Sequence, residues 1–543
     1  MQEQTPKKTK WVIVTGGVLS GLGKGTATAS IGKLLSKNFK VVPVKCDGYL
    51  NVDPGTMNPF EHGEVFVLDD GGEVDMDFGH YERLLNIDCK FEWNLTTGKV
   101  YSEVIKKERK GEYLGATIQV IPHITNEIKN RFMEIAKKEN ADVMLIEIGG
   151  TVGDIENMWF IEAVRQLKKD VGPENIIYVH LTYIPLLKHA NQQKTKPAQR
   201  DVETLRMEGI FPDIIIGRSE EPLTKESKKK ISLFCDVEEE AVISGRDVKT
   251  IYEIPLVFEE QGMLNIISKK FNFKPNKDMA EWRKLVDRIK NPKNSVNILI
   301  CGKYTAVQDS YASIFEALTH AGAHLDTKVN ARLIEATDIE TGKLKIDELM
   351  KDVDGLIVPI GFGSRGAEGK INCIRYAREH NIPFLGLCFG LQTAVIEFAR
   401  NVCGLKDANS SEVNPRTENP VIDILPEQKK VTEKGATMRL GLQKSELKKG
   451  TMVSKLYNSN IAFERHRHRY EVNPEYHKIL EKNGMVFSGT SSNGRIVEFI
   501  ELANHPYFTA TQAHPEYKSR FERPAPLFYG FVEAALKRKR TLT

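Results

Sequence analysis

Trp11-Val12-Ile13-Val14-Thr15-Gly16-Gly17-Val18-Leu19-Ser20-Gly21-Leu22-Gly23-Lys24-Gly25-Thr26 decides how the first half of the chain folds. The apolar run 11–15 reads as a strand buried on both faces, and the glycines after it turn the chain into a helix beginning near Thr26. At such a turn the free backbone N–H groups and the helix dipole favour phosphate. Lys24 adds a mobile positive charge for β and γ phosphates. The spacing departs from the common GxxxxGK[ST], because Gly25 follows the lysine and Thr26 comes one later. A tight turn required only by packing is the alternative reading.

Outward from this turn, short apolar runs at 41–45, 143–148, 176–181 and 213–217 alternate with helical spacing at 126–138 and 157–169. The alternation predicts a doubly wound, P-loop-like parallel sheet in an α/β fold. Residues 273–295 are polar, with Pro275 and Pro292, and a fresh strand opens at 296–301. This places a linker at 273–295 between domains 1–272 and 296–543. Runs at 355–359, 384–387, 497–501 and 508–512 predict a second α/β core.

With 543 residues the chain can fill two or three cores. Its seven cysteines are scattered, without CxxC spacing, which argues against a disulfide framework and a structural zinc site and for a reducing cytoplasm. The apolar run near the N-terminus is too short for a signal sequence or a membrane span. A net charge of +4 with 28% charged residues gives no reason to expect a nucleic-acid binder. Lysine clusters at 194–200 and 225–230 are candidate anion sites, although a solvated helix face explains a lysine run equally simply.

Two groups of residues carry further chemistry. Asp75 and Asp77 follow a strand-like run, and Glu147 lies in an apolar strand that ends in Gly149-Gly150. A buried carboxylate must be paired or metal-bound, and magnesium takes one or two carboxylates plus phosphate oxygens. Asp77 with Glu147 fits that need, and pairing with a nearby lysine is the alternative. Gly386-Leu387-Cys388-Phe389-Gly390 has the Gly-x-Cys-x-Gly pattern of a strand-to-helix elbow that exposes a nucleophile. A lone cysteine is more often a core residue, but His514-Pro515-Glu516 downstream supplies a base and a carboxylate to orient it.

These residues and several further motifs resemble the CTP synthase family over almost the whole chain. The motifs are Asn51-Val52-Asp53-Pro54-Gly55-Thr56, His62-Gly63-Glu64-Val65-Phe66-Val67, Gly149-Gly150-Thr151-Val152-Gly153-Asp154-Ile155-Glu156, Lys194-Thr195-Lys196-Pro197, Glu464-Arg465-His466-Arg467-His468-Arg469-Tyr470 and Ala513-His514-Pro515-Glu516-Tyr517. The resemblance implies a synthetase domain followed by a class I glutamine amidotransferase domain. The first would use ATP to phosphorylate O4 of UTP, and ammonia would displace the phosphate to give CTP. It implies ATP on Ser20, Gly21, Leu22, Gly23, Lys24, Gly25, Lys45, Asp77 and Val248, with Mg2+ on Asp77 and Glu147. UTP would lie on Ser20, Lys194, Thr195, Lys196, Gln199 and Lys230, and the CTP that inhibits by feedback on the same subsite with Asp154, Ile155 and Glu156.

In the second domain the resemblance implies catalysis by Cys388, His514 and Glu516 through a γ-glutamyl thioester. Glutamine would be held by Gly361, Phe389, Gly390, Leu391, Gln392, Glu412 and Arg469, and an ion pair is the alternative role for Arg469. GTP would activate, and the chain would assemble as a homotetramer, with filaments beyond it. Two departures stand out. The family's Pro-Gly-Gly-Phe-Gly is here Pro359-Ile360-Gly361-Phe362-Gly363, and a β-branched Ile360 would strain any left-handed backbone at that position. This raises an alternative in which glutaminase is impaired and free ammonia is the main nitrogen source. Gly48 stands where the family usually has proline, with a small expected effect. A different amidoligase would lack the segment 194–199, and a non-catalytic assembly protein would not need Lys24, Glu147 and Cys388 together.

Overall fold

The computed structural model describes residues 8–55, 57, 63–303, 308–361, 363–424 and 438–542. Thr56, His62 and Phe362 of the motifs above lie outside the described residues. The chain divides into two compact units, Met1–Asp53 with His80–Arg283 and Pro54–Gly79 with Lys284–Thr543. Neither unit is continuous in sequence.

The first unit is built on a seven-stranded sheet of β1 (Lys10–Gly16), β2 (Val41–Asp47), β3 (Asn94–Thr96), β4 (Val143–Ile148), β5 (Ile176–Tyr183), β6 (Ile214–Ser219) and β7 (Val242–Arg246), in the order β7-β6-β5-β1-β4-β2-β3. Every neighbouring pair is parallel. β2 and β4 are buried along their whole length, as apolar parallel strands must be. β1 is the central strand, so the glycine loop leaves the carboxyl edge of the sheet near where the winding changes direction, the usual place for a ligand.

The five runs predicted as strands are all present, within two residues at either end. Short Asn-Leu-Thr at β3 and Val-Ile-Ser-Gly-Arg at β7 carried too few apolar residues to be foreseen. The stretch read as a linker contains a helix, Ala280–Lys290. Its Trp282 is buried, and the indole N–H donates to the Tyr252 carbonyl at 2.7 Å. Polar composition concealed this helix, whose buried face is Trp282, Leu285 and Val286.

The second unit has a nine-stranded sheet of β8 (Asn294–Gly302), β9 (Thr327–Glu335), β10 (Gly355–Val358), β11 (Phe384–Leu387), β12 (Arg439–Leu447), β13 (Ile461–His468), β14 (Met485–Thr490), β15 (Val497–Leu502) and β16 (Phe508–Thr511). The order is β9-β8-β10-β11-β16-β15-β14-β12-β13. The strands from β9 to β16 pair in parallel and the rest antiparallel. Alternate residues of β8 feed two separate cores, Leu299 and Cys301 on one face and Val296, Ile298 and Ile300 on the other.

Candidate active sites

In the first unit, helix α1 (Lys24–Leu35) starts directly after Gly23, whose φ is 86°. No side chain caps this end, and a helix N-terminus of this kind suits an anion. Lys24 folds back, with Nζ donating to the Gly150 carbonyl at 2.7 Å. Beside the loop is a cavity of about 480 Å3, lined by Gly21, Leu22, Gly23, Arg218, Val248 and Ile251, among others. That volume suits a nucleotide. Val248 is thus beside the glycine loop. Arg218 was missed by sequence reasoning: it donates to the Gly245 carbonyl at 2.6 Å and pairs with Asp247 at 2.7 Å. The available signal was its place at the carboxyl end of β6.

Glu147 near the end of β4 is buried, and its carboxylate lies 3.2 Å from Lys45 Nζ and accepts from the Tyr81 hydroxyl at 2.5 Å. Lysine pairing, the alternative weighed for this carboxylate, is thus present. Asp77 opens helix Asp77–Leu85, in the part of the chain that groups with the second unit. Among the described residues there is no cluster of three His, Cys, Asp or Glu side chains able to hold a metal alone.

Lys194, Thr195, Lys196 and Gln199 gather at the start of helix α2 (Lys196–Met207), where Gln199 donates to Thr195 Oγ1 at 3.1 Å and Lys196 Nζ lies 3.4 Å from Gln199 Oε1. Lys230, on α3 (Lys225–Cys235), forms an exposed pair with Glu226 at 2.6 Å. Asp154 accepts from the Thr151 N–H at 3.0 Å, and Ile155 and Glu156 are exposed. Gly48 packs against this same segment. A Cβ at 48 would lie 2.8 Å from the Glu156 carbonyl oxygen, so the position requires glycine, and the departure from the family pattern is a matter of close approach rather than loosening.

In the second unit, Cys388 joins β11 to helix α4 (Phe389–Asn401) with φ 53° and ψ −101°, a strained conformation for a side chain with a Cβ. Gly390 makes the turn possible, because a Cβ there would lie 2.0 Å from the Val358 carbonyl oxygen. The elbow does not expose the thiol, as the pattern suggested: Cys388 is 3% exposed. Its sulfur is covered by the Arg467 carbonyl at 3.7 Å and the Gln512 amide at 3.6 Å. Gln512 escaped the sequence reading, although it stands two residues before His514.

His514 Nδ1 is 2.7 Å from Glu516 Oε1, and both residues are buried. Burial opposes a charge on the imidazole, but Glu516 and Cys388 outweigh it and hold its pKa up at about 10. His514 Nε2, Glu516 Oε2 and Gln392 Oε1 are buried without hydrogen-bond partners. A buried polar atom without a protein partner is one that a polar ligand can satisfy. Gln392 donates to the Tyr470 carbonyl at 3.0 Å, and Glu412 accepts from the Gly363 N–H at 2.8 Å while burial raises its pKa. Gly361, Phe389 and Leu391 are buried around this elbow, and Arg469 is half-buried just beyond β13.

Ile360 carries no strain. The left-handed residue of its loop is Gly363, with φ 69°, and Ile360 is not among the positive-φ residues. Its side chain packs on one of the two cores of the unit.

Comparison with known proteins agrees with this architecture. Residues 10–273 match the family model described as CTP synthase N-terminus, and residues 306–534 match that of glutamine amidotransferase class-I. The chain is 55% identical over 535 residues to a CTP synthase of Methanococcus maripaludis, covering 97% of this chain and 100% of that protein. It is 55% identical over 531 residues to a CTP synthase of Carboxydothermus hydrogenoformans, covering 97% and 99%. A solved structure, the glutaminase domain of Trypanosoma brucei CTPS with bound acivicin, is 35% identical with a TM-score of 0.41, covering 45% of this chain and 94% of that one. On matches of this length and identity, the chain belongs to the CTP synthase family, glutamine-hydrolysing C–N ligases that use ATP.

Proposed function

We propose that the chain makes CTP by phosphorylating O4 of UTP with ATP and displacing the phosphate with ammonia freed from glutamine at Cys388. The observation that carries the glutamine half is the strained elbow at Cys388 beside a buried His514–Glu516 pair whose Nε2 has no partner. In the resting pair His514 already holds the proton, the thiolate of Cys388 attacks the side-chain amide, and the imidazolium gives that proton to the leaving ammonia. Glu516 orients the ring. Water then cleaves the thioester to glutamate. Ammonia must arrive unprotonated, so it travels out of contact with bulk water.

In the other half, uracil O4 is a poor leaving group until it is a phosphate ester. The Gly21–Gly23 loop and the N-terminus of α1 receive the phosphates, Lys24 and Lys45 neutralise charge on the transferring group, and the cavity lined by Arg218 and Val248 takes the adenine. Lys194, Thr195, Lys196, Gln199 and Lys230 hold the UTP triphosphate, and Asp154 with Glu156 meet the CTP base. Glu147 is a buried carboxylate at a strand end that meets Lys45 and Tyr81, and together with Asp77 it would offer magnesium hard oxygen donors beside that lysine. When bound, the ion supplies further charge neutralisation at the phosphates.

Activation by GTP, feedback by CTP and assembly as a homotetramer follow as proposals from family membership. Cytoplasmic residence suits seven free cysteines. Among the described residues no helix is long and apolar enough to cross a membrane.

UTP labelled with 18O at O4, incubated with ATP, magnesium and ammonium, tests the first half. We expect the label in inorganic phosphate, and label released as water overturns the phosphorylation step. CTP from ammonium but none from glutamine would remove the role of Cys388.

A further inference from the structure

One buried charge next to the elbow has no part in this chemistry. Lys370, in the first turn of helix Ala367–Glu379, is 1% exposed. Its Nζ donates to the Pro359 carbonyl at 3.1 Å and reaches that of Ile360 at 3.4 Å. It also lies 5.0 Å from the centre of the Phe389 ring, the residue that follows Cys388. Burying an ammonium against neutral carbonyls is costly, and a lysine that only filled space would be better replaced by methionine.

The two carbonyls explain what the charge does. Ile360 C=O and Gly361 N–H are opposite ends of one planar trans peptide, so fixing the oxygen fixes the direction of the N–H. Gly361 also lies close to both, since a Cβ there would be 2.8 Å from Lys370 Nζ and 3.3 Å from Phe389 Cδ1. The ammonium thus joins the end of β10 to the first residue of α4 and sets the spacing between them.

We propose that Lys370 is a positioning residue for glutamine hydrolysis: it holds the Pro359 and Ile360 carbonyls so that the Gly361 N–H faces the oxyanion formed when Cys388 attacks the glutamine carbonyl. The proposal rests on the glutaminase reading above. Burial draws the Lys370 pKa down to about 8, with Cys301, Cys388 and Glu335 acting to raise it and Lys303 to lower it further. The charged form therefore holds below about pH 8, and the effect fades as pH rises through that value.

The test uses full-length protein. Loss of one oxyanion donor costs on the order of a hundredfold or more in rate, so Lys370→Met should cut kcat for glutamine hydrolysis by about 100-fold with little change in KM. CTP formation from ammonium and the rate of Cys388 alkylation by iodoacetamide should stay at wild-type levels. A Lys370→Met protein that hydrolyses glutamine at the wild-type kcat, or that loses ammonium-driven synthesis as well, overturns the proposal. Should Lys370→Met not fold, Lys370→Arg decides: an alkaline limb in kcat near pH 8 in the wild type must move upward in this variant. An unmoved limb overturns the proposal. A wild type that hydrolyses no glutamine at any pH overturns the glutaminase reading itself, and Lys370 with it.

Discussion

His514 shows how the charge on a side chain is set by what surrounds it. The imidazole pKa is held at about 10, above the ordinary value near 6.5, because Glu516 and Cys388 outweigh burial. A folded pKa above the unfolded one means that the charged ring stabilises the fold fully below about pH 6.5, and that this contribution is lost as pH rises through 10. Glu516→Gln removes the largest charge favouring imidazolium. We therefore expect this variant to melt below the wild type at pH 7, with the gap in Tm narrowing by pH 10.5 in parallel thermal scans. A gap that stays constant would mean that Glu516 acts by packing alone. Ile360 is the opposite kind of residue, a departure from the family pattern that brings no left-handed strain and whose side chain packs on the core. Ile360→Gly should bring no gain in glutamine hydrolysis and should lose about 1–3 kcal/mol of stability on chemical unfolding, from lost burial and added backbone freedom.

The elbow is a property of two elements, β10 and α4, that run close enough for backbone to touch backbone. Gly390 lies where a Cβ would come 2.0 Å from the Val358 carbonyl oxygen, and no rotamer can relieve a clash with main chain. Gly390→Ala should separate helix from strand, abolish glutamine hydrolysis and destabilise the fold by more than about 2 kcal/mol. Hydrolysis surviving in this variant would show that the close approach is dispensable. This glycine was legible in the sequence as half of a Gly-x-Cys-x-Gly pattern, and five strands of each sheet were legible from their apolar runs. What was not legible depends on long-range approach. β9, with alternating exposed positions, and β3, with three residues, carry weak patterns. The cover of Arg467 and Gln512 over the thiol comes from strands far apart in sequence. Gly48 read as a loose loop, since its neighbour Glu156 is known only from the fold.

At the scale of the whole chain, sequence order and spatial order differ. Segment 54–79 is flanked on both sides by residues of the first unit yet belongs to the second. There Arg465, fully buried, pairs with Asp69 at 2.6 Å, and Arg467 pairs with Glu73 at 2.8 Å. The Glu464–Arg469 motif is thus in part a clamp on that segment, which no reading of either stretch alone reveals. Chemically, however, the two halves of the reaction should come apart cleanly. The thioester route needs a thiol, an imidazole and a carboxylate, all from residues 388–516. Phosphoryl transfer needs cations around the phosphates, including the ion assigned to Asp77 and Glu147. Stripping divalent cations with EDTA should therefore stop CTP formation from ammonium and from glutamine alike, while basal glutamine hydrolysis continues. Cys388→Ala should give the converse, with no hydrolysis and ammonium-driven CTP at the wild-type rate. Measuring both products in both conditions gives four results, and hydrolysis that disappears with the metal would show that the thiol site depends on the state of the nucleotide site.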